Sequence, residues 1–256
     1  MINRQKWNAA QFHEALTRFA GVRAGDQALD LGCGSGATLG PLLVAVGGKG
    51  RVTAVDRRRS ALNEALRQHA SAAQSGSLAL AQADVLDVPF PANSFDVVIC
   101  QNVVECVRDR AALVEEARRV LRPNGCLLLA HHDFDGVILV SDDCELARRL
   151  VHGFADHRQE WQDSSEGRMG RMIPGLVANA GFASVEIESR LFVDLDLGEN
   201  SYAVHYLSWL VELAPSLGVD REAASQWAAR LKMDAETGRF FFGLPWVGAI
   251  CRKSSD

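Results

Sequence analysis

Glycines and carboxylates at set intervals carry the chemistry available to this chain. Residues 29–36 read Leu29-Asp30-Leu31-Gly32-Cys33-Gly34-Ser35-Gly36, an apolar run that closes in a glycine-rich turn. Glycine lets the backbone turn sharply and lets a ligand approach with no Cβ in the way. Asp56 ends the next apolar run, and a spacing of roughly 20 residues from such a turn suits a carboxylate that accepts from a ribose diol. Asp30, just ahead of the turn, would suit a cationic amine and repel a pyrophosphate. Asp84, in Gln82-Ala83-Asp84-Val85, is placed to accept from an adenine amino group, with a helix N-cap as its bland alternative. Through Ala37 the turn also satisfies the G-x-G-x-x-A pattern of dinucleotide binders, so the glycines alone leave a nicotinamide cofactor open.

The densest polar cluster is His131-His132-Asp133-Phe134-Asp135. A His–Asp pair can act as a general base, the carboxylate orienting the imidazole and supporting its charge. Neighbouring strand residues point to opposite faces, so His131 and His132 cannot share that role, and His132 is the candidate base. The alternative is a loop that bonds to itself or caps the next helix. Further on, Tyr202, His205, Tyr206 and Trp209 recur at helical spacing. They form either a core stripe or a lid that walls an apolar or cationic acceptor, in the second case through cation–π contacts. His157 and Trp161 admit the same two readings.

The elements that must position these residues follow from hydrophobic periodicity. The spacing predicts a helix over 5–20, then strands at 28–31, 51–55, 78–83, 95–100 and 126–130, alternating with helices at 37–46, 60–70 and 110–121. Alternating strands and helices imply parallel pairing, right-handed crossovers and helices on both faces. Runs such as VVIC and CLLLA lack polar alternation, as strands buried on both faces should. The expected fold class is therefore α/β. Beyond His131 the pattern predicts helices at 141–161 and 170–180, the latter with Pro174 near its first turn, and strands at 185–195 and 240–251. Between those two strands lies a helical insertion at 202–213 and 221–232.

The 256 residues carry 48% hydrophobic and 23% charged side chains, which excludes disorder, collagen and coiled coil for the chain as a whole. A net charge of −5 argues against a dedicated nucleic-acid partner. Arg57-Arg58-Arg59 reads as a solvated loop edge. Six cysteines without CxxC pairing read as reduced thiols of a cytoplasmic protein. No apolar run reaches the roughly 20 residues needed to cross a bilayer, and the first residues lack the apolar stretch of a signal peptide. Arginine outnumbers lysine 23 to 4, which hints at a GC-rich bacterial genome. Nothing in the sequence sets an oligomeric state.

Four motifs in order, LDLGCGSG, the strand ending in Asp56, ADVLDVPFPANSFDVVIC and LRPNGCLLLA, resemble the class I S-adenosylmethionine-dependent methyltransferases. The resemblance is strong from about residue 25 to 129. It implies a Rossmann-like sheet of seven strands with the last antiparallel, in one domain over 1–256. An N-terminal helical segment (1–24) and helical insertions (137–170 and 197–238) would add a substrate cover. It implies S-adenosylmethionine as cofactor and S-adenosylhomocysteine as product, held by Asp30, Gly32, Cys33, Gly34, Gly36, Asp56, Arg57, Asp84, Val85 and Gln101. Strand four ends in Gln101-Asn102, unlike the acidic metal-binding relatives, and no Asn/Asp-Pro-Pro-aromatic motif of nucleic-acid-methylating relatives follows it. The expectation is metal-independent methyl transfer to oxygen or nitrogen of a small molecule. His132, His131 and Asp133 are the catalytic candidates, and Asp135, Tyr202, Tyr206 and Trp209 the substrate-binding ones. A nicotinamide-dependent oxidoreductase and a non-catalytic S-adenosylmethionine-binding protein remain the alternatives.

Overall fold

The computed structural model describes residues 9–164, 166–199 and 201–255. The part of the expected N-terminal segment before Ala9, with Ser165, Asn200 and Asp256, lies outside the described residues. The elements run α1 (Ala9–Phe19), β1 (Gln27–Leu31), α2 (Leu39–Val46), β2 (Arg51–Asp56), α3 (Arg59–Gln68), α4 (Ala70–Gln74) and β3 (Leu78–Gln82). They continue with β4 (Phe95–Gln101), α5 (Arg110–Val120), β5 (Leu121–His132), β6 (Ile138–Leu139), α6 (Cys144–Asp156) and α7 (Met169–Val177). The chain closes with β7 (Ser184–Asp194), α8 (Tyr202–Leu213), α9 (Arg221–Glu236) and β8 (Phe242–Arg252).

The sheet has the order β3-β2-β1-β4-β5-β8, and β7 pairs with the other edge of β8. The first five strands are mutually parallel. β8 is antiparallel to both β5 and β7, as the resemblance implied, and the two-residue β6 extends the β5 side of β8. Because each crossover returns the chain to the same end of the sheet, β1, β2 and β4 deliver Asp30, Asp56 and Gln101 to one edge. That edge is where an open α/β sheet binds its ligand.

Alternation within each strand sorts the core into two layers. Leu29 and Leu31, Val98 and Cys100, Leu127 and Leu129 face α5 and α7. Ala28, Val97 and Ile99, Leu128 and Ala130 face α1, α2 and α3. A third cluster joins α6, α8 and α9 through Leu150, Tyr206, Leu210 and Trp227, and it rests on Phe242 and Leu244 of β8. Four of the helices begin on a side-chain cap. Asp109, Asp143, Ser201 and Asp220 each accept the backbone N–H three residues on, worth about 1 kcal/mol per cap.

Three boundaries differ from the sequence expectation. The helix expected over 141–161 stops at Asp156, which leaves Trp161 in an irregular segment. The strand expected over 126–130 begins at Leu121 as β5 and carries Pro123-Asn124-Gly125 inside it: Asn124 takes a φ of 62°, and the pairing with β4 shifts between Phe95 and Val97. Pro174 stands in the interior of α7 rather than its first turn, because the helix starts at Met169.

Trp246 of β8 ties the closing strand to the ligand edge. It is wholly buried, stacks on Phe19 of α1 at 5.6 Å, and its indole N–H donates to Gln101 Oε1 at 3.0 Å. Trp246→Ala is expected to cost about 3–5 kcal/mol. Urea denaturation should show a lower midpoint with an unchanged slope.

Candidate functional site

The glycine-rich turn after β1 is shaped by two demands. Gly32 takes a φ of 83°, and a Cβ there would meet the Val103 side chain at 2.5 Å, so the loop after β4 can approach only a glycine. At Gly34 a Cβ would meet nothing within 4 Å, because that residue faces a cavity of about 270 Å³. The Gly34 N–H donates to Asp56 Oδ2 at 2.9 Å, and Asp56 Oδ1 accepts from the Arg58 N–H at 2.8 Å. One carboxylate thus fixes the turn and the start of α3.

Asp30 is the unusual group in this cavity. It is 2% exposed, and its Oδ2 has no hydrogen-bond partner. Burial, and then the nearby Asp56 carboxylate, push its pKa up to about 7. Arg58 Nε lies 3.6 Å from Asp56 Oδ1, but the buried Asp30 Oδ2 stays unanswered, and two carboxylates at neighbouring strand ends fit a ligand that brings positive charge. They do not fit a pyrophosphate.

Of the residues expected to hold a cofactor, Asp30, Gly32, Cys33, Gly34, Asp56, Arg57, Asp84, Val85 and Gln101 all line this one cavity. Gly36 does not. A Cβ there would press on Ala65 of α3 at 3.0 Å, so it is a packing glycine behind the turn. Asp84 precedes no helix; its Oδ1 accepts from the Leu86 N–H at 3.0 Å in a tight turn. Burial raises the Cys33 thiol far above its ordinary range, so it stays protonated. His13, Thr38, Asn102 and Val103 also line the cavity and went unnoticed in the sequence. Their signal is weak, since His13 comes from α1, far from any motif, and Asn102 is recognisable only by its φ of 55°.

The arginines after β2 are exposed, as a solvated edge requires, yet two of them reach across to another segment. The Arg57 guanidinium bonds to the Trp161 carbonyl and pairs with Asp163 at 3.3 Å, while Arg58 lies 5.3 Å above the Trp161 ring. From the other side Arg110 donates to Ser164 Oγ at 3.0 Å, and Ser164 donates to the Glu105 carbonyl at 2.9 Å. Residues 157–164 are thereby clasped across the mouth of the cavity.

Trp161 also lines a second cavity of about 530 Å³, walled by Phe154 of α6 and by Tyr202 and Trp209 of α8. Tyr206 stands behind that wall, fully buried and near-parallel to Phe134 at 6.4 Å. Glu105, on the turn after β4, reaches into the second cavity, while its neighbours Val103 and Cys106 line the first.

The strand-five cluster separates by face, as alternation requires. The expected His–Asp pair does not form. Asp133 is buried and accepts from the Arg171 N–H at 2.9 Å and from the Arg171 guanidinium, tying down the start of α7. Arg171 also pairs with Asp135 at 3.1 Å, so both carboxylates go to that cation. His132 is packed among Phe12, Phe134, Phe192 and Tyr202, and its Nδ1 lies 3.0 Å from the Asn102 amide nitrogen. Burial, with two neighbouring imidazoles, lowers its pKa to about 3, so it is neutral at ordinary pH. His131 is fully buried on the opposite side, its Nε2 3.7 Å from Glu105 Oε1. Among the described residues, no group of three His, Cys, Asp or Glu side chains comes together to hold a metal ion.

The family model for a methyltransferase domain matches residues 29–129, the span from β1 through most of β5. This segment, 101 of the 256 residues, is what resembles a methyltransferase domain. A solved structure of the YcgJ protein from Bacillus subtilis shares the methyltransferase fold with a TM-score of 0.61, at 17% identity, over 96% of this chain and 99% of that one. An uncharacterized 37.1 kDa protein in transposon TN4556 of Streptomyces fradiae is 33% identical over 162 residues, 63% of this chain and 45% of its own. The 2-phytyl-1,4-naphtoquinone methyltransferase of a Nostoc strain is 34% identical over 111 residues, 43% of this chain and 48% of its own. The chain thus spans about half the length of these two relatives. Within residues 29–129 the orphaned Asp30 oxygen and the open face of Gly34 fit an S-adenosyl group, whose ammonium and sulfonium are both cationic.

Asp30 makes the free domain pH-sensitive. In an unfolded chain an aspartate ionises near pH 4, whereas the folded Asp30 holds its proton to about 7. Stability therefore falls as pH rises from about 4 to 7, and the full penalty persists above that window. Asp30→Asn should raise the Tm of the ligand-free protein at pH 8, with the gain shrinking toward pH 4 in a thermal-melt series.

Proposed function

We propose that this chain transfers a methyl group from S-adenosylmethionine to oxygen or nitrogen of a small-molecule acceptor, releasing S-adenosylhomocysteine, with no metal ion involved. The observation that carries the reading is the pair of adjoining cavities. One is lined by three of the four sequence motifs, the other is aromatic, and Trp161 lines both. A donor and an acceptor must meet in line across such a boundary, and positioning supplies much of the rate.

When bound, S-adenosylmethionine supplies an electrophilic methyl carbon. In this reading Asp30 faces the amino group and Asp56 the ribose hydroxyls, while Asp84 and Val85 hold the adenine. Arg57 acts through the clasp on residues 157–164 rather than by stacking on the base. That clasp limits water at the boundary between the cavities. The chain is proposed to be a single methyltransferase domain in which the insertions at 137–170 and 197–238 cover the acceptor. Tyr202 and Trp209 of α8 would then touch the acceptor, with Tyr206 supporting them from behind. His132, neutral and caged by rings, orients the end of β5 through Asn102, whose Oδ1 accepts the His132 N–H at 3.0 Å. Asp133 and Asp135 anchor α7 through Arg171 and take no part in proton transfer. Among the described residues no helix is long and apolar enough to cross a membrane, consistent with a cytoplasmic setting.

Calorimetric titration tests the cofactor. S-adenosylhomocysteine should bind and NAD⁺ should not, and Asp56→Ala should lose the binding. Because only ionised Asp30 pairs with the amine, affinity should drop about tenfold between pH 8 and pH 6, following the ionised fraction of a group titrating near 7. Binding of NAD⁺ alone would overturn the proposal in favour of hydride chemistry.

A further inference from the structure

The chemistry of the acceptor is written in the walls of the second cavity. Its aromatic surface is concentrated in Phe154, Trp161, Tyr202 and Trp209. Trp209 lies parallel to Phe154 at 6.1 Å and edge-on to Tyr202 at 6.0 Å. Trp161 and Trp209 remain 43% and 42% exposed, so two indole faces are held in water at its rim. Apart from the His157 imidazole, its titratable acids and bases are of one sign. Glu105 and Glu212 line it, and none of its described lining residues is a lysine or an arginine.

Glu105 is the more telling of the two. Its side chain is 13% exposed; among the described residues its ion-pair partner is His131 Nε2, which has no hydrogen-bond partner and whose pKa burial depresses, while the nearby Arg110 guanidinium pairs with Glu166 at 2.7 Å. A neutral imidazole does not discharge a carboxylate. The Tyr202 phenol, held well above its ordinary range by burial and by Glu105, stays neutral as well. A mostly buried carboxylate without a cation costs free energy that a cationic ligand would recover.

We propose that the second cavity binds a basic amine carried on a flat apolar body, with the ammonium on Glu105 and the body against Trp161, Tyr202 and Trp209. This rests on reading the second cavity as the acceptor site. An ammonium between Glu105 and the ring faces gains both the ion pair and cation–π attraction. A phenolate or carboxylate acceptor would meet two like charges. A neutral quinone would fill the aromatic walls and leave Glu105 unpaired. Glu105 belongs to the turn that also lines the first cavity, so an amine on Glu105 lies at the boundary between the two.

Three probes that share a phenyl ring and chain length separate charge from shape: phenethylamine, 2-phenylethanol and 3-phenylpropanoate. Each is titrated into the full chain while tryptophan fluorescence is followed, with and without S-adenosylhomocysteine. Phenethylamine should bind at least about tenfold tighter than the alcohol, and the anion weakest. Glu105→Gln should remove most of that preference. Glu212→Gln, on an exposed position of α8, should reduce it by a smaller factor and serves if the buried substitution disturbs folding. Trp209→Leu should weaken all three probes. Equal binding of amine and alcohol, tightest binding of the anion, no binding by any probe, or a preference intact in both glutamine variants would overturn the assignment. Amine preference without S-adenosylhomocysteine binding would support the cavity assignment and overturn the methyltransferase reading. S-adenosylhomocysteine binding without amine preference would overturn the cavity assignment alone.

Discussion

Two buried carboxylates at the ends of adjacent parallel strands, one of them with an oxygen that no described residue answers, are the constraint around which the ligand edge is built. Asp30 and Asp56 arrive there because β1 and β2 run side by side in register, with Asp30 opposite Ala54 and Leu31 opposite Val55. Asp56 is satisfied by turning the backbone of the glycine loop so that the Gly34 N–H meets it. Asp30 is left with one oxygen unanswered. The free protein therefore carries a local electrostatic penalty that a cationic ligand removes, a common way for a binding site to trade stability for affinity.

The surrounding architecture turns that edge into a divided site. Crossovers leave the strand ends open, and the insertion helices α6 and α8 raise an aromatic wall beyond them. Residues 157–164 join the two halves, held from β2 by Arg57 and Arg58 and from the β4 side by Arg110 and the Glu105 carbonyl. The ion pair among them, Arg57 with Asp163, is half-exposed and worth at most about 1 kcal/mol, so the clasp holds by number of contacts rather than by any one bond.

The histidine cluster illustrates how a sequence-level pattern is resolved by packing. His-His-Asp has the composition of a proton relay, yet alternation sends His131 and His132 to opposite faces of β5. Asp133 is then captured by Arg171, a residue 38 positions away whose approach depends on Gly170, where a Cβ would come within 2.9 Å of the Asp133 Cβ. Gly36 is a similar case. It looks like the third glycine of a ligand loop, and its contact is with Ala65 of α3. Local sequence cannot tell a carboxylate that meets solvent from one that meets a distant guanidinium.

What the sequence determined by itself is everything carried by short-range periodicity and by motif order: the alternating α/β pattern, the parallel core, the glycine turn, and the arrival of Asp30, Asp56, Asp84 and Gln101 at one edge. These follow because strand and helix periods are local properties and because right-handed crossovers leave few ways to assemble them. The tertiary structure alone decided which polar residues face a ligand. It placed Glu105 and Trp161 at the boundary of two cavities, turned the Arg57 run into a clasp, and retired Asp133 to an anchor. Those outcomes depend on contacts between segments far apart in the chain, such as Arg57 with Trp161 or Asp133 with Arg171. No periodicity encodes such contacts, because each is fixed only when the helices of the insertion pack onto the sheet.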